Sequence, residues 1–276
     1  MHTHSTASDG RDSPAAVMQA AAEAGLTVVA LTDHDTTAGW DEAAAAAMRS
    51  GMALVRGTEI SICIDGVSVH LLSYLHDPTH PELVELLERT RDSRVGRAQR
   101  MAALLAEDYP ITWEDVQAQA QPDSTLGRPH LADALIAAGV VASRDEAFAT
   151  MLRPGSRYYV FYGAPTTMEA VGIVLAAGGV PVLAHPGAVQ RGRTIDEARI
   201  EELAAAGVAG LEIDHRDHCP KTREQLRALA TRLGLLVTGS SDYHGAGKPN
   251  RIGENTTSLE TLAAIEERGH LPILYP

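Results

Sequence analysis

Thr27-Val28-Val29-Ala30-Leu31-Thr32-Asp33-His34-Asp35 is a short apolar, β-branched run that ends in two carboxylates and an imidazole. Its apolar residues are continuous, as in a parallel strand covered on both faces. Upstream, Ser13-Pro14 opens a helix with serine as cap and proline in the first turn, and Gly25 closes it. Downstream, an alanine-rich helix over 39–50 ends at Gly51, and strands follow at 52–56 and 59–64. Asp65-Gly66 is a strong hairpin signal, with 67–75 as the returning strand. Further on the alternation resumes, with helix 166–177, strand 180–184, helix 195–206, strand 208–213, helix 220–233 and strand 235–239. Such βα repetition predicts an α/β fold with a parallel sheet, open or closed into a barrel.

Residues 80–165 break the rhythm. They read as several helices with no strand before 158–162, and about 85 residues far exceeds a βα crossover. The chain is therefore expected to divide into a barrel, 1–79 and 166–276, and an inserted helical subdomain, 80–165, covering one end of the sheet.

Composition narrows the function. The 276 residues carry 36 acidic and 23 basic side chains, a formal net charge of −13. That surface repels long nucleic acid unless a local basic patch intervenes. No apolar run approaches a membrane span. Two cysteines, Cys63 and Cys219, are too few for a disulfide framework and point to a reducing cytoplasm. Nothing indicates an obligate protein partner.

The chemistry lies in where histidines and acids fall. His2 and His4 are two apart, so on extended backbone both imidazoles face one way. Asp9 follows in a glycine-containing loop, and Asp33-His34-Asp35 ends the first predicted strand. Glu59 sits beside a strand start, and His70 lies within an apolar strand. His185 follows 180–184, and Asp242 and His244 follow 235–239. Several strands thus deliver an acid or histidine to the end where parallel α/β folds build their sites. Each piece has a bland reading, as a frayed terminus, a core histidine, a helix cap or a turn. Together they would be several coincidences. Nine N/O ligands without a thiolate suit Zn²⁺, Mn²⁺ or Fe²⁺. They are too many for one ion, so two or three divalent ions sharing a carboxylate are expected.

His2-Thr3-His4-Ser5-Thr6-Ala7-Ser8-Asp9-Gly10, Thr32-Asp33-His34-Asp35, Gly57-Thr58-Glu59-Ile60, Ala184-His185-Pro186-Gly187 and Ser241-Asp242-Tyr243-His244 together resemble the PHP family, the polymerase and histidinol phosphatase group. The resemblance spans residues 2–255 in motif order. Asp9, where other branches carry histidine, and Gly127-Arg128-Pro129-His130-Leu131-Ala132 bring the chain nearest the branch of 3′,5′-nucleoside bisphosphate phosphatases and RNase AM-like 5′→3′ exonucleases. It implies a distorted (β/α)₇ barrel and three metal positions. The first would use His2, His4, Glu59 and Asp242, with Glu59 and Asp242 as the catalytic carboxylates. The second would share Glu59 and add His70 and His185. The third would use Asp9, His34 and His244. Asp33 would orient a neighbour rather than bind an ion.

In the insertion, Arg91, Arg94, Arg97 and Arg100 recur every three residues along a predicted helix. Arg97 balances a phosphate grip against a solvated face paired with Glu82, Glu85 and Glu88, and the other three lean toward the solvated face. Arg128 and His130 resemble the family's substrate-facing pair. His215 and His218 match no family ligand and read as pocket rim or surface, and His76, His80 and His270 as surface. The expected activity is hydrolysis of phosphomonoesters of small nucleotides, a 3′,5′-bisphosphate or an AMP-like compound, by metal-bound hydroxide without a phosphoenzyme. Alternatives are a 5′→3′ exonuclease on short 5′-phosphorylated oligonucleotides, a histidinol phosphatase, and a non-catalytic metal-stabilised module.

Overall fold

The computed structural model describes residues 1–122, 124–161, 163–189 and 194–276. Six strands form one sheet in chain order: β1 (Val28–Leu31), β2 (Ala53–Ile64), β3 (Val67–Tyr74), β4 (Val180–Leu183), β5 (Gly210–Asp214) and β6 (Leu236–Gly239). The segments expected at 52–56 and 59–64 are one twelve-residue strand that changes partner. Ala53–Arg56 pairs in parallel with β1, and from Gly57 onward β2 pairs antiparallel with β3. Asp65 (φ 48°) and Gly66 (φ 76°) make the two-residue turn between them, with positive φ at both positions as a type I′ hairpin requires. Because β3 also runs antiparallel to β4, the sheet is mixed, and only β1–β2 and β4–β5–β6 are parallel.

Closure comes from the first residues. Thr32 N donates to Thr3 O at 2.9 Å and Thr3 Oγ1 to Ala30 O at 2.7 Å, which ties this segment to β1. On its other side His4 N donates to Tyr243 O at 2.8 Å, just past β6. A flat six-stranded sheet would hold its two edges roughly 24 Å apart. One segment can bond to both only if the sheet is rolled up. The fold is thus a distorted barrel in which residues 2–4 form the seventh stave.

Helices α1 (Pro14–Glu23) and α2 (Trp40–Ser50) pack Val17, Met18, Ala43 and Ala47 against Leu31 and Leu54. Ser13 caps α1 through its hydroxyl, which accepts from Ala16 N. On the other flank α7 (Thr167–Ala176), α8 (Glu197–Ala205) and α9 (Pro220–Leu233) cover β2–β5 with Val171, Val174, Leu203 and Leu229. Helix α10 (Leu259–Arg268) adds Leu262 and Ile265 beneath β1–β4.

Between β3 and α7 lie α3 (Pro81–Ala106), α4 (Trp113–Gln117), α5 (Arg128–Ala137) and α6 (Arg144–Thr150). Leu83, Leu86 and Leu87 of α3 join the barrel core, whereas Ala98, Met101, Ala102 and Leu105 join a separate core with Val116, Leu131, Leu135 and Leu152. One helix thus belongs to both bodies. The strand expected at 158–162 does not form over 158–161, and Tyr162 lies outside the described residues. A side chain takes up backbone here instead, as Arg97 Nε donates to Val160 O at 2.9 Å, and the Tyr158 hydroxyl is anchored by donating to the Asp108 carboxylate at 2.6 Å.

Candidate metal centre

The parallel strands end at one pole, and the antiparallel β3 brings His70 to it from its first half. There His2, His4, Asp9, His34, Glu59, Asp242 and His244 are buried, with His185 8% exposed and only His70 partly open. Glu59 stands inside β2, where the strand changes partner, rather than beside its start. Its two oxygens face different histidines. Oε2 lies 3.0 Å from His2 Nε2, 3.0 Å from His4 Nε2 and 3.3 Å from His34 Nδ1. Oε1 lies 2.7 Å from His70 Nδ1 and 3.2 Å from His185 Nε2. Asp242 Oδ1 is 3.5 Å from His2 Nε2 and 3.4 Å from His4 Nε2. Asp9 Oδ1 is 3.2 Å from His244 Nε2, and Asp9 Oδ2 is 3.8 Å from His34 Nε2. All nine sequence-predicted ligands are therefore brought together.

The charge balance favours cations. Burial opposes a proton on His2, but the carboxylates of Glu59, Glu212 and Asp242 outweigh it and raise its pKa to about 10. His4 is likewise raised to about 9 against burial, by hydrogen bonds to Asp242 and Glu59. Burial pushes Glu59 and Asp9 upward, yet the surrounding histidines hold both well below the usual carboxylate range. Without metal ions, protons on imidazoles must offset the carboxylates. Two ring nitrogens facing each other at 3.0 Å, His2 Nε2 and His4 Nε2, with two carboxylate oxygens around them, make a donor set that a divalent ion fits. The buried His244 Nε2 faces Asp9 Oδ1 at 3.2 Å without hydrogen-bond alignment. His185 (φ 31°), Asp242 (φ 50°) and Asp35 (φ 54°) hold left-handed backbone at this pole, where strain is maintained only by the surrounding structure.

Asp33 does orient neighbours, accepting from Ser5 N at 2.7 Å, Ser5 Oγ at 2.6 Å and Ser8 Oγ at 2.6 Å. Sequence reasoning missed Glu212. Wholly buried on β5, it accepts from His185 N at 3.0 Å and Ser240 Oγ at 2.5 Å, and its Oε1 lies 3.1 Å from His2 Nδ1. The available signal was a carboxylate inside the apolar run Gly210–Asp214. His215 and His218 are buried, not surface. Asp217 N donates to His215 Nδ1, and His215 Nε2 lies 3.8 Å from Asp242 Oδ2 beside Lys248, whose Nζ donates to the same oxygen at 2.9 Å. His76 is also buried rather than exposed, because its ring packs on Trp40 and its Nδ1 meets Ser73 Oγ at 2.8 Å.

Of the arginine stripe, Arg94 reaches this pole, donating to Ser61 Oγ at 2.6 Å with Asp35 Oδ2 at 3.4 Å. Arg97 and Arg128 lie over the Tyr159 ring at 4.8 and 5.7 Å, and Arg128 Nη1 also donates to Leu152 O at 3.2 Å. His130 is buried at the start of α5, where its Nδ1 accepts from Gly127 N at 3.2 Å.

The PHP domain model matches residues 1–113. A 3′,5′-nucleoside bisphosphate phosphatase of Chromobacterium violaceum is 34% identical over 95% of this chain and 92% of its own length. The chain belongs to the PHP family. A 5′-3′ exoribonuclease of Haemophilus influenzae is 31% identical, covering 97% of each chain. A crystal structure from Bifidobacterium adolescentis, ascribed to a metal-dependent phosphoesterase, superposes with a TM-score of 0.95 at 45% identity, covering 97% of this chain and 95% of the other. This PHP protein is accordingly a metal-dependent phosphoesterase, a hydrolase, and its His/Glu/Asp cluster is able to hold metal ions. No helix among the described residues is long and apolar enough to cross a membrane.

Proposed function

We propose that the enzyme removes a phosphate from small phosphorylated nucleotides, with a 3′,5′-nucleoside bisphosphate as the preferred class, using three divalent ions. The observation that carries this reading is the split of Glu59, whose oxygens serve two separate histidine groups. His2, His4, Glu59 and Asp242 would hold the first ion, Glu59, His70 and His185 the second, and Asp9, His34 and His244 the third. Ions bound there supply positive charge to phosphate oxygens and acidify water. Lys248 adds a cation beside Asp242.

Ser5, Ser8 and Ser240 donate to Asp33 or Glu212, and Ser61 donates to Asp35. These hydroxyls serve carboxylates, and the imidazole nearest to one of them, His4 Nδ1 at 3.4 Å from Ser8 Oγ, belongs to a residue assigned to the first ion. Water is then the nucleophile, and no phosphoenzyme forms.

Residues 80–165 would cover the substrate, with Arg128, Arg97 and His130 meeting the second phosphate or the base. The 34% identity to the bisphosphate phosphatase supports this ranking, and the 31% identity to the exoribonuclease keeps short 5′-phosphorylated oligonucleotides as a second substrate class. Turnover of a 3′,5′-bisphosphate, histidinol phosphate and a 5′-phosphorylated oligonucleotide, each with added Mn²⁺, tests it. The bisphosphate should have the highest kcat/KM, and a clear preference for either of the others would overturn the ranking. Arg128→Ala should lower kcat/KM about ten- to a hundredfold on the bisphosphate, roughly 1.5–3 kcal/mol, and little on a monophosphate. Equal losses on both would place Arg128 at the reacting phosphate.

A further inference from the structure

The loop between His4 and Asp9 owes its shape to more than the barrel. Its backbone carbonyls at Thr6, Ala7 and Asp9 each accept a hydrogen bond from the helical segment. Ser124 Oγ donates to Thr6 O at 2.5 Å, Thr125 N to Ala7 O at 3.1 Å, and Arg144 Nη1 to Asp9 O at 3.1 Å. Of the three donors, Arg144 is itself held by a buried carboxylate. Its side chain is 10% exposed, and its other guanidinium nitrogens make a bidentate pair with Asp133, at 2.8 and 2.6 Å. Arg11, on the far side of Asp9, meets the same carboxylate at 2.6 Å.

The guanidinium also touches the loop after His244. A Cβ placed on Gly247 would fall 2.6 Å from Arg144 Nη1, so a side chain there would displace the group. Arg11 N donates to His244 O at 3.0 Å, which joins the two loops directly. Asp9 and His244 are two of the three donors assigned to the third ion, and both are carried on loops that Arg144 contacts. A planar fork fixed on a buried carboxylate is well suited to hold such backbone in place.

We infer that Arg144, anchored by Asp133, is a positioning residue that sets Asp9 and His244 for the third metal ion. It acts through backbone and touches neither the ion nor the substrate. The inference rests on the three-ion assignment above. It makes loading of the third position depend on the helical segment, while the positions built on Glu59 stay with the barrel.

The test is metal content after equilibration at graded free Mn²⁺, measured on wild type, Arg144→Lys and the double variant Arg144→Met/Asp133→Asn. The double variant leaves no unpaired buried carboxylate, so loss of folding is not the expected failure. Arg144→Lys keeps the charge and loses the fork. Asp9→Asn provides the reference for loss of the third ion alone. Wild type should bind three ions. Both Arg144 variants should need roughly ten- to a hundredfold more Mn²⁺ to fill the last one, with the other two unchanged, matching Asp9→Asn. Three ions bound with wild-type affinity in both variants would overturn the role of Arg144, as would equal weakening of all three. Wild type binding fewer than three ions would instead overturn the assignment on which the role depends.

Discussion

At the scale of single residues, Glu59 and His76 show how differently buried polar groups behave. Glu59 is kept ionised by the histidines on both its oxygens. Glu59→Gln should therefore weaken two donor sets at once, lowering the Mn²⁺ content toward one ion per chain and kcat/KM by about a hundredfold. Unchanged metal content by elemental analysis would end its role as the shared carboxylate. His76 lies away from the cluster, and burial lowers its pKa from 6.5 to about 4. The unfolded chain therefore takes up this proton first as pH falls. The native state has its full stability above about pH 6.5 and loses roughly 3 kcal/mol by about pH 4. In the metal-free protein, His76→Gln should flatten that part of the urea-midpoint profile, and an unaltered slope would count against the assignment. Eight of the nine candidate ligands were legible because they stand in motifs the family shares, and His70 because it is an imidazole within an apolar strand. Glu212, Arg94 and His76 were not, because their roles arise from contacts 210, 59 and 3 residues away, with His2, Asp35 and Ser73. No local pattern encodes the first two.

Among the elements, the helix and strand order followed directly from caps, turns and apolar runs. The structure differed where tertiary pairing decided the outcome. Nothing local at Gly57-Thr58 announces that one strand runs through it and exchanges β1 for β3. At the strand expected over 158–162, the carbonyl of Val160 is taken up by Arg97 rather than by a neighbouring strand. The loop 5–12 is a comparable case. It is held by Asp33 from inside, through Ser5 and Ser8, and by the helical segment from outside. Asp33→Asn keeps the shape of the side chain but weakens these charge-assisted bonds. It should reduce Mn²⁺ affinity about ten- to a hundredfold while leaving the far-ultraviolet circular dichroism unchanged. Wild-type affinity in that variant would mean the loop holds His4 and Asp9 without it.

For the molecule as a whole, closing the barrel and building the site are one event. The segment that carries His2 and His4 is the stave between β1 and the end of β6, so the two edges of the sheet meet where the ligands converge. The barrel supplies carboxylates and imidazoles whose charges need cations, and the helical segment lies against one rim of that cluster. Diffraction from Mn²⁺-soaked crystals, recorded at a wavelength where manganese scatters anomalously, tests this most directly. Anomalous peaks are expected on both sides of Glu59, one among His2, His4 and Asp242 and one beside His70 and His185, with a third between Asp9, His34 and His244. A map in which Glu59 borders no peak would contradict it.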